Sequence, residues 1–189
     1  MIRNKKELLY YLSEDAKANS RKSTKPYLFG DEIWKYIRTM RLLDYSLHNR
    51  TFFNTLRATY YRLKLHRQSI RLGFSISYLA DIGPGFSIAH YGTIVISGNA
   101  KIGKNFRIQE NTCIGATNGS NDAAIIGDNV FIGTGAKIIG KVSIANDVAI
   151  GANAVVVKSI EEPGTTWGGV PSRKLSNNDS HSNLAKGLF

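Results

Sequence analysis

The histidine and cysteine residues limit the chemistry that this sequence can perform. The chain has 189 residues, with four histidines and one cysteine. A catalytic zinc site of the three-histidine type is not expected, because only His90 lies in the repetitive middle of the chain. Cys113 has no second cysteine to pair with, so no disulfide framework within the chain is possible and a reducing compartment is expected. His90 remains as the candidate for acid–base chemistry, since imidazole changes its charge near neutral pH.

His90 interrupts a six-residue repeat. Aliphatic residues recur at every sixth position from Ile76 to Ile88, from Ile96 to Ile114 and, in the same phase, from Ile126 to Val156, and the phase slips by two residues directly after His90. Neither the helical period of 3.6 nor the strand period of 2 gives every sixth residue the same environment. A coil of three short strands with about 18 residues per turn does so. The pattern predicts a mainly β fold, a left-handed parallel β-helix of hexapeptide repeats, whose interruption often marks a functional site.

An α-helical segment is predicted before the repeat. Apolar residues at helical spacing indicate three helices, over about residues 1–20, from an N-cap at Asp31, and from about Phe52 to Gln68. Gly73 marks the boundary, which gives a basic helical domain over residues 1–73 and a β-helix domain over residues 74–175. Residues 176–189 are expected to form a polar, mobile tail.

The positive charge of the chain belongs to its first part. The net charge is +11 in total, and residues 1–73 hold 16 Lys and Arg against 6 Asp and Glu. A nucleic acid, an anionic membrane surface, a polyanionic substrate or simple solvation could each explain this excess. Nucleic acid is the weakest explanation, because no helix-turn-helix, RNP or zinc-finger spacing is present. A cytoplasmic location is expected because signal-peptide and membrane-spanning patterns are absent from the sequence. The basic helical segment adds the hypothesis of peripheral contact with the inner membrane face.

Several sequence features together resemble the serine acetyltransferase branch of the hexapeptide acyltransferases. They are the repeat, the slip at His90, the run from Gly133 to Lys137 and the closing run from Gly169 to Ser172. Over roughly residues 31–175 the chain is most similar to serine-acetyltransferase-like proteins of bacterial surface-polysaccharide gene clusters. The resemblance implies an acetyl-CoA-dependent O-acetyltransferase that forms a homotrimer, or a hexamer of two trimers, with sites between subunits. It also implies that His90 is the general base that deprotonates the acceptor hydroxyl.

The acceptor is inferred from departures from that family. The aspartate that orients the family's histidine aligns with Ser75, and a second aspartate aligns with Ala89. The Arg-His pair that holds serine aligns with Asn121 and Asp122, although an amino-acid carboxylate requires a cation. We therefore predict that the acceptor is a sugar hydroxyl of a surface polysaccharide or its precursor. The alternatives are serine acetyltransferase proper and a catalytically inactive β-helix.

The same alignment assigns the remaining site residues. Glu110, Ser75, Asp81 or a backbone carbonyl could hold the second ring nitrogen of His90, and Glu110 is assigned to the reaction with His90. The predicted substrate-binding residues are Tyr91, Asn111, Asn121 and Asp122. The predicted acetyl-CoA-binding residues are small residues along the groove, cations for the phosphates and one indole ring: Gly115, Gly133, Gly135, Ala136, Lys137, Ala152, Lys158, Trp167, Arg173 and Lys174.

Overall fold

Three helices precede a solenoid of short strands in the computed structural model, which describes residues 1–49, 51–117, 122–186 and 188. The helices are α1 (Lys5–Ala18), α2 (Glu32–His48) and α3 (Phe52–Leu72), and a short 3-10 helix spans His181–Asn183. α3 runs four residues beyond the predicted end at Gln68 and stops at Gly73. Gly73 has a φ of 76°, a left-handed conformation that glycine adopts without strain.

The strands form three parallel sheets, and each turn of the chain adds one strand to each sheet. The first sheet contains Phe74–Ile76, Ile94–Ile96, Thr112–Gly115, Lys137–Ile139 and Val155–Val156. The second contains Asp81–Ile82, Lys101–Ile102, Ile125–Ile126 and Ser143–Ile144. The third contains Ser87–Ile88, Arg107–Ile108, Phe131–Ile132, Ala149–Ile150, Thr166–Gly168 and Arg173–Ser176, of which the last pairs antiparallel with its neighbour. The β-helix prediction is confirmed.

The repeated aliphatic residues stack inside the solenoid. In the first sheet, Ile96 pairs in register with Ile114, and Ile114 with Ile138. These three side chains are fully or almost fully buried. Burial of one such side chain stabilises the fold by about 1.5–3 kcal/mol, so the repeat is itself the core. The repeat keeps its phase between Ile114 and Ile126, and residues 118–121 between them lie outside the described residues.

A buried ion pair fastens the helices to the first coil. The Arg41 guanidinium donates to Asp15 at 2.8 Å and to the carbonyl oxygen of Ile82 at 2.6 Å. Asp15 also accepts from the backbone N–H groups of Gly85 and Phe86, both at 2.9 Å. Burial acts against the charge of Arg41, but Asp15 more than offsets it, so the pKa of Arg41 is raised. Helical and solenoid residues share one continuous core, and the predicted division at residue 73 stays a prediction.

Two details differ from the sequence expectations. Asp31 precedes α2, but its left-handed backbone (φ 66°) leaves its side chain without a capping hydrogen bond. Its carboxylate instead pairs with Arg21 and accepts from the backbone N–H of Tyr27. In the C-terminal segment, the predicted polar tail buries Ser180 and Leu184, so this part packs against the solenoid.

Candidate active site

The corner between the third and first sheets brings His90 into a column of side chains. Ile88 and Ile108 pair in register, and Ile108 pairs with Ile132. The residues two places further along each coil are His90, Glu110 and Thr134, which therefore stack on successive coils. The next member of the column is Ala152, two places after Ile150.

Glu110 has one satisfied and one unsatisfied carboxylate oxygen. Its Oε1 accepts from the Thr134 hydroxyl at 2.7 Å. Its Oε2 is buried and has no hydrogen-bond partner among the described residues. The hydrogen bond from Thr134 is the main cause that holds the pKa of Glu110 below its ordinary value; its own backbone N–H and the nearby charge of His90 add to this, and burial opposes it. Glu110 is thus an ionised carboxylate close to the imidazole, and its second oxygen is free to accept a hydrogen bond.

The other two side chains considered as partners of His90 lie elsewhere. Asp81 is on the second sheet, in register with Lys101, and accepts from the amino group of Met1 at 3.1 Å. Ser75 is on the first sheet, in register with Val95. Only Glu110, of the three candidates, belongs to the column of His90, and its role there stays a prediction.

The two-residue slip forms the bend that exposes His90. The chain needs eight residues from Ile88 to Ile96 but six from Ile108 to Ile114. Within the longer bend, Gly92 has a φ of 133°. A Cβ at this glycine would lie 3.0 Å from the Cβ of Glu110. Glycine is therefore required both by the backbone conformation and by the close approach of the two coils.

The predicted acceptor residues divide between two corners. Tyr91 is 58% exposed beside His90, and Asn111 follows Glu110 with a φ of 61°. Asp122 is exposed, and its Oδ1 lies 3.5 Å from the Lys141 ammonium group. It precedes the second-sheet strand Ile125–Ile126, so within a single chain it does not lie at the corner of His90. Asn121 is outside the described residues.

Four of the predicted acetyl-CoA residues line one cavity. This cavity has a volume of about 360 Å³ and contains Lys158, Trp167, Arg173 and Lys174. The Trp167 indole donates to the Thr165 hydroxyl at 2.9 Å, and Lys174 pairs with Glu162 at 2.5 Å. Cations beside an indole ring suit a nucleotide with phosphate groups. The residues that line this cavity are therefore compatible with acetyl-CoA, the predicted ligand.

The remaining predicted acetyl-CoA residues lie along the His90 corner and the first sheet. Ala136 is buried there, Ala152 is exposed, and Gly115 has the most open surroundings of the three glycines. A Cβ at Gly133 would lie 2.9 Å from the backbone nitrogen of Ala152, and one at Gly135 would meet Asn153 at 2.0 Å. Gly133 and Gly135 are thus required by the packing of the coils, whatever they contact outside. Lys137 donates to the carbonyl oxygens of Asn111 and Gly135, which fixes its ammonium group at this corner.

Sequence reasoning missed Thr134 as a site residue. Its position two places after Ile132 has the same phase as His90 after Ile88 and Glu110 after Ile108, so the repeat itself carried the signal. The described residues contain no group of His, Cys, Asp or Glu side chains that could hold a metal ion. No helix in the described part of the chain is long and apolar enough to cross a membrane.

Known proteins are similar to this chain in sequence and in fold. The family described as "Bacterial transferase hexapeptide (six repeats)" matches residues 123–158. The serine acetyltransferase of Helicobacter pylori is 32% identical over 130 residues, which cover 67% of this chain and 72% of that protein. This chain belongs to the serine acetyltransferase family. The serine acetyltransferase of Staphylococcus epidermidis is 34% identical over 126 residues, 62% of this chain and 59% of that protein.

The serine acetyltransferase family also shares the overall fold. A serine acetyltransferase from Brucella abortus, solved in complex with coenzyme A, superposes with a TM-score of 0.70 at 24% identity. The superposition covers 90% of this chain and 67% of that chain. This chain spans less than two thirds of the Staphylococcus protein, so it matches only part of that relative.

Proposed function

We propose that this protein is a cytoplasmic enzyme that transfers the acetyl group of acetyl-CoA to a hydroxyl oxygen, with His90 as the general base. The observation that carries the proposal is the column at the slipped corner, where an exposed imidazole lies next to the ionised Glu110. The free Oε2 of Glu110 would accept the N–H of one ring nitrogen, which leaves the other nitrogen as a base. General bases of this kind accelerate reactions by roughly 10²–10⁴-fold.

The reaction needs one base and no covalent enzyme intermediate. His90 takes the hydroxyl proton while the acceptor oxygen forms a bond to the thioester carbonyl carbon. The bond from that carbon to sulfur then breaks, and the imidazolium returns the proton to the leaving thiolate. Glu110 would stabilise the imidazolium between these steps, since an opposite charge within a few ångströms favours the charged form.

The donor would lie along the groove that ends at the cavity of Lys158 and Trp167. The charged groups of Lys158 and Arg173 would neutralise its phosphates, Lys174 would have to leave Glu162 to do so, and the indole would pack on the adenine. The exposed position of Ala152 supports a close approach of the pantetheine chain to the backbone.

L-serine is the first candidate acceptor, because the relatives named above are serine acetyltransferases. Their names support this acceptor better than the sugar that the sequence predicted first. A neutral sugar hydroxyl is the second candidate, and the charge at the His90 corner favours it. Glu110 is the ionised group beside the imidazole, and the nearby Lys137 is held by two backbone carbonyls. An amino-acid carboxylate would have to displace one of these contacts or find its cation on another subunit.

A homotrimer, or a hexamer of two trimers, is the proposed assembly. Support comes from α3, which exposes several large apolar side chains to solvent: Phe52, Phe53, Leu56, Tyr60, Leu63 and Ile70. The same helix carries no acidic residue and several arginines, so peripheral contact with an anionic membrane surface also stays a proposal.

The test is a thiol-release assay with acetyl-CoA and either L-serine or a panel of sugars and polysaccharide fragments. Turnover that disappears in His90→Ala would support the proposal and name the acceptor. Thiol release that is equal in the wild type and in His90→Ala would contradict the role of His90. The absence of release with every acceptor would favour the inactive β-helix.

A further inference from the structure

A second cavity opens beside His90, where the helical segment meets the first coil. It has a volume of about 300 Å³, at the lower end of the roughly 300–1,000 Å³ that is usual for small-ligand pockets. The solenoid contributes Ile88 and Tyr91 to its wall, and the helical segment contributes Asn19 and Trp34. Tyr91 directly follows His90 in the chain, so the cavity borders the coil that carries the proposed base.

The walls of this junction cavity offer aromatic rings and an unsatisfied donor. The Tyr91 ring is 58% exposed, so one of its faces can be covered by a ligand. Trp34 is only 3% exposed, and its indole N–H is buried with no hydrogen-bond partner among the described residues. A buried N–H normally has a partner, and an oxygen of a bound molecule would supply one here.

The charged groups of the junction cavity are already neutralised. Arg21 pairs with Asp31, and its guanidinium lies over the Trp34 ring, 5.3 Å from the centroid. Glu32 pairs with Lys35 at 3.3 Å. A ligand carboxylate would therefore have to compete with Asp31 for Arg21. A neutral polyol would not, because it can donate hydroxyl protons to Asp31 and Glu32 and accept from the indole.

We propose that the junction cavity binds a neutral sugar ring of the acceptor and presents one of its hydroxyl groups to His90. The C–H face of a sugar ring packs on an aromatic ring such as that of Tyr91, while its hydroxyl groups use the paired carboxylates. This inference rests on the proposed acetyl transfer and decides between its two candidate acceptors. It assigns a substrate-binding role to Trp34, which also belongs to the buried core cluster.

Tryptophan fluorescence tests this inference directly. In a Trp167→Phe background Trp34 is the remaining tryptophan, and its emission is titrated with the methyl glycosides of glucose, galactose, mannose and N-acetylglucosamine, and with L-serine. We expect a saturable change with at least one glycoside and none with L-serine. Tyr91→Ala should weaken the affinity for that glycoside at least tenfold. Tyr10→Ala is the matched control, since Tyr10 is also exposed, at 52%, but lies on α1, and it should change nothing.

A second variant and a second method guard against a false result. Glu32→Ala removes a carboxylate from the cavity rim and should also weaken glycoside binding, and saturation-transfer NMR reports binding without depending on Trp34. Absence of saturable binding of every glycoside by both methods would overturn the inference. So would an unchanged affinity in Tyr91→Ala, or displacement of the glycoside by L-serine.

Acetyl transfer is measured separately, by thiol release from acetyl-CoA. Transfer to L-serine without glycoside binding would overturn the sugar site and leave the proposed reaction standing. Glycoside binding without release of thiol on any acceptor would uphold the sugar site and overturn the proposed reaction.

Discussion

Two corners of the same solenoid differ in whether their polar side chains have hydrogen-bond partners. At the corner before the third sheet, Asn105 donates to Asn129 and Asn129 donates to Asp147, both at 2.8 Å. These three residues share left-handed backbones, with φ between 55° and 61°, and each fits the same place on its coil. At the His90 corner the phase slips, and the buried Oε2 of Glu110 has no partner among the described residues. At the regular corner each of these side chains finds a partner on the next coil, whereas the interrupted corner leaves one carboxylate oxygen available for chemistry.

Replacement of His90 tests the slipped corner most severely. We expect His90→Ala to lower acetyl transfer by about 10²–10⁴-fold and to leave the melting temperature unchanged, because the side chain is exposed. Thiol release and thermal melting measure the two effects. His66→Ala, on α3, is the control and should keep full activity. A fully active His90→Ala protein would show that the slip does not mark a catalytic site.

Loss of the buried ion pair should loosen the slipped coil from the helices. Asp15→Asn leaves the buried Arg41 charge without its partner, which costs about 3–5 kcal/mol in comparable cases. Urea denaturation measures the free energy of unfolding. The neighbouring Glu14 forms a more exposed pair with Lys17 at 2.7 Å, so Glu14→Gln should cost no more than about 1 kcal/mol. Equal effects of the two substitutions would mean that the first coil does not depend on the buried pair.

Glu110→Gln should separate orientation from charge. The amide keeps the shape and can still accept from Thr134, but it cannot balance an imidazolium charge, so we expect kcat/KM to fall about tenfold or more. The lowered pKa of Glu110 means that its ionised form stabilises the fold above the unfolded value of roughly 4.3. That contribution is lost as the pH falls through the lower folded pKa. The stability difference between wild type and variant should therefore shrink in acid, and a pH series of urea denaturation curves would show a constant gap if this is wrong.

A substitution at the regular corner should lower the stability of the protein and leave its activity unchanged. Asn129→Ala removes two hydrogen bonds, each with a net value of about 1 kcal/mol, and places alanine in a left-handed conformation. We expect a loss of roughly 1–3 kcal/mol of stability and an unchanged rate of thiol release. A large loss of activity in this variant would show that the two corners are coupled.

The sequence predicts the contacts that follow from the repeat. It predicts few of the contacts between the helices and the solenoid. Ile96, Ile114 and Ile138 could be placed in one stack because each lies in the same phase of a local pattern. The stacking of Glu110 next to His90 follows from that phase as well. The pairing of Arg41 with Asp15, 26 residues apart, has no periodic signal and depends on how the helices pack. The junction cavity could not be predicted for the same reason, since its walls come from distant parts of the chain.

Arg41 also supplies hydrogen bonds that a preceding coil would otherwise donate to the first coil. In the solenoid, backbone N–H groups of one coil donate to carbonyl oxygens of the next, as Gly83 does to Ile102 at 2.8 Å. The carbonyls of the first coil have no earlier coil to donate to them, and Arg41 donates to two of them, at Ile82 and Gly83, both at 2.6 Å. An open sheet edge is a template on which further strands can add. By occupying these two carbonyls, Arg41 leaves that part of the edge unable to pair with a further strand.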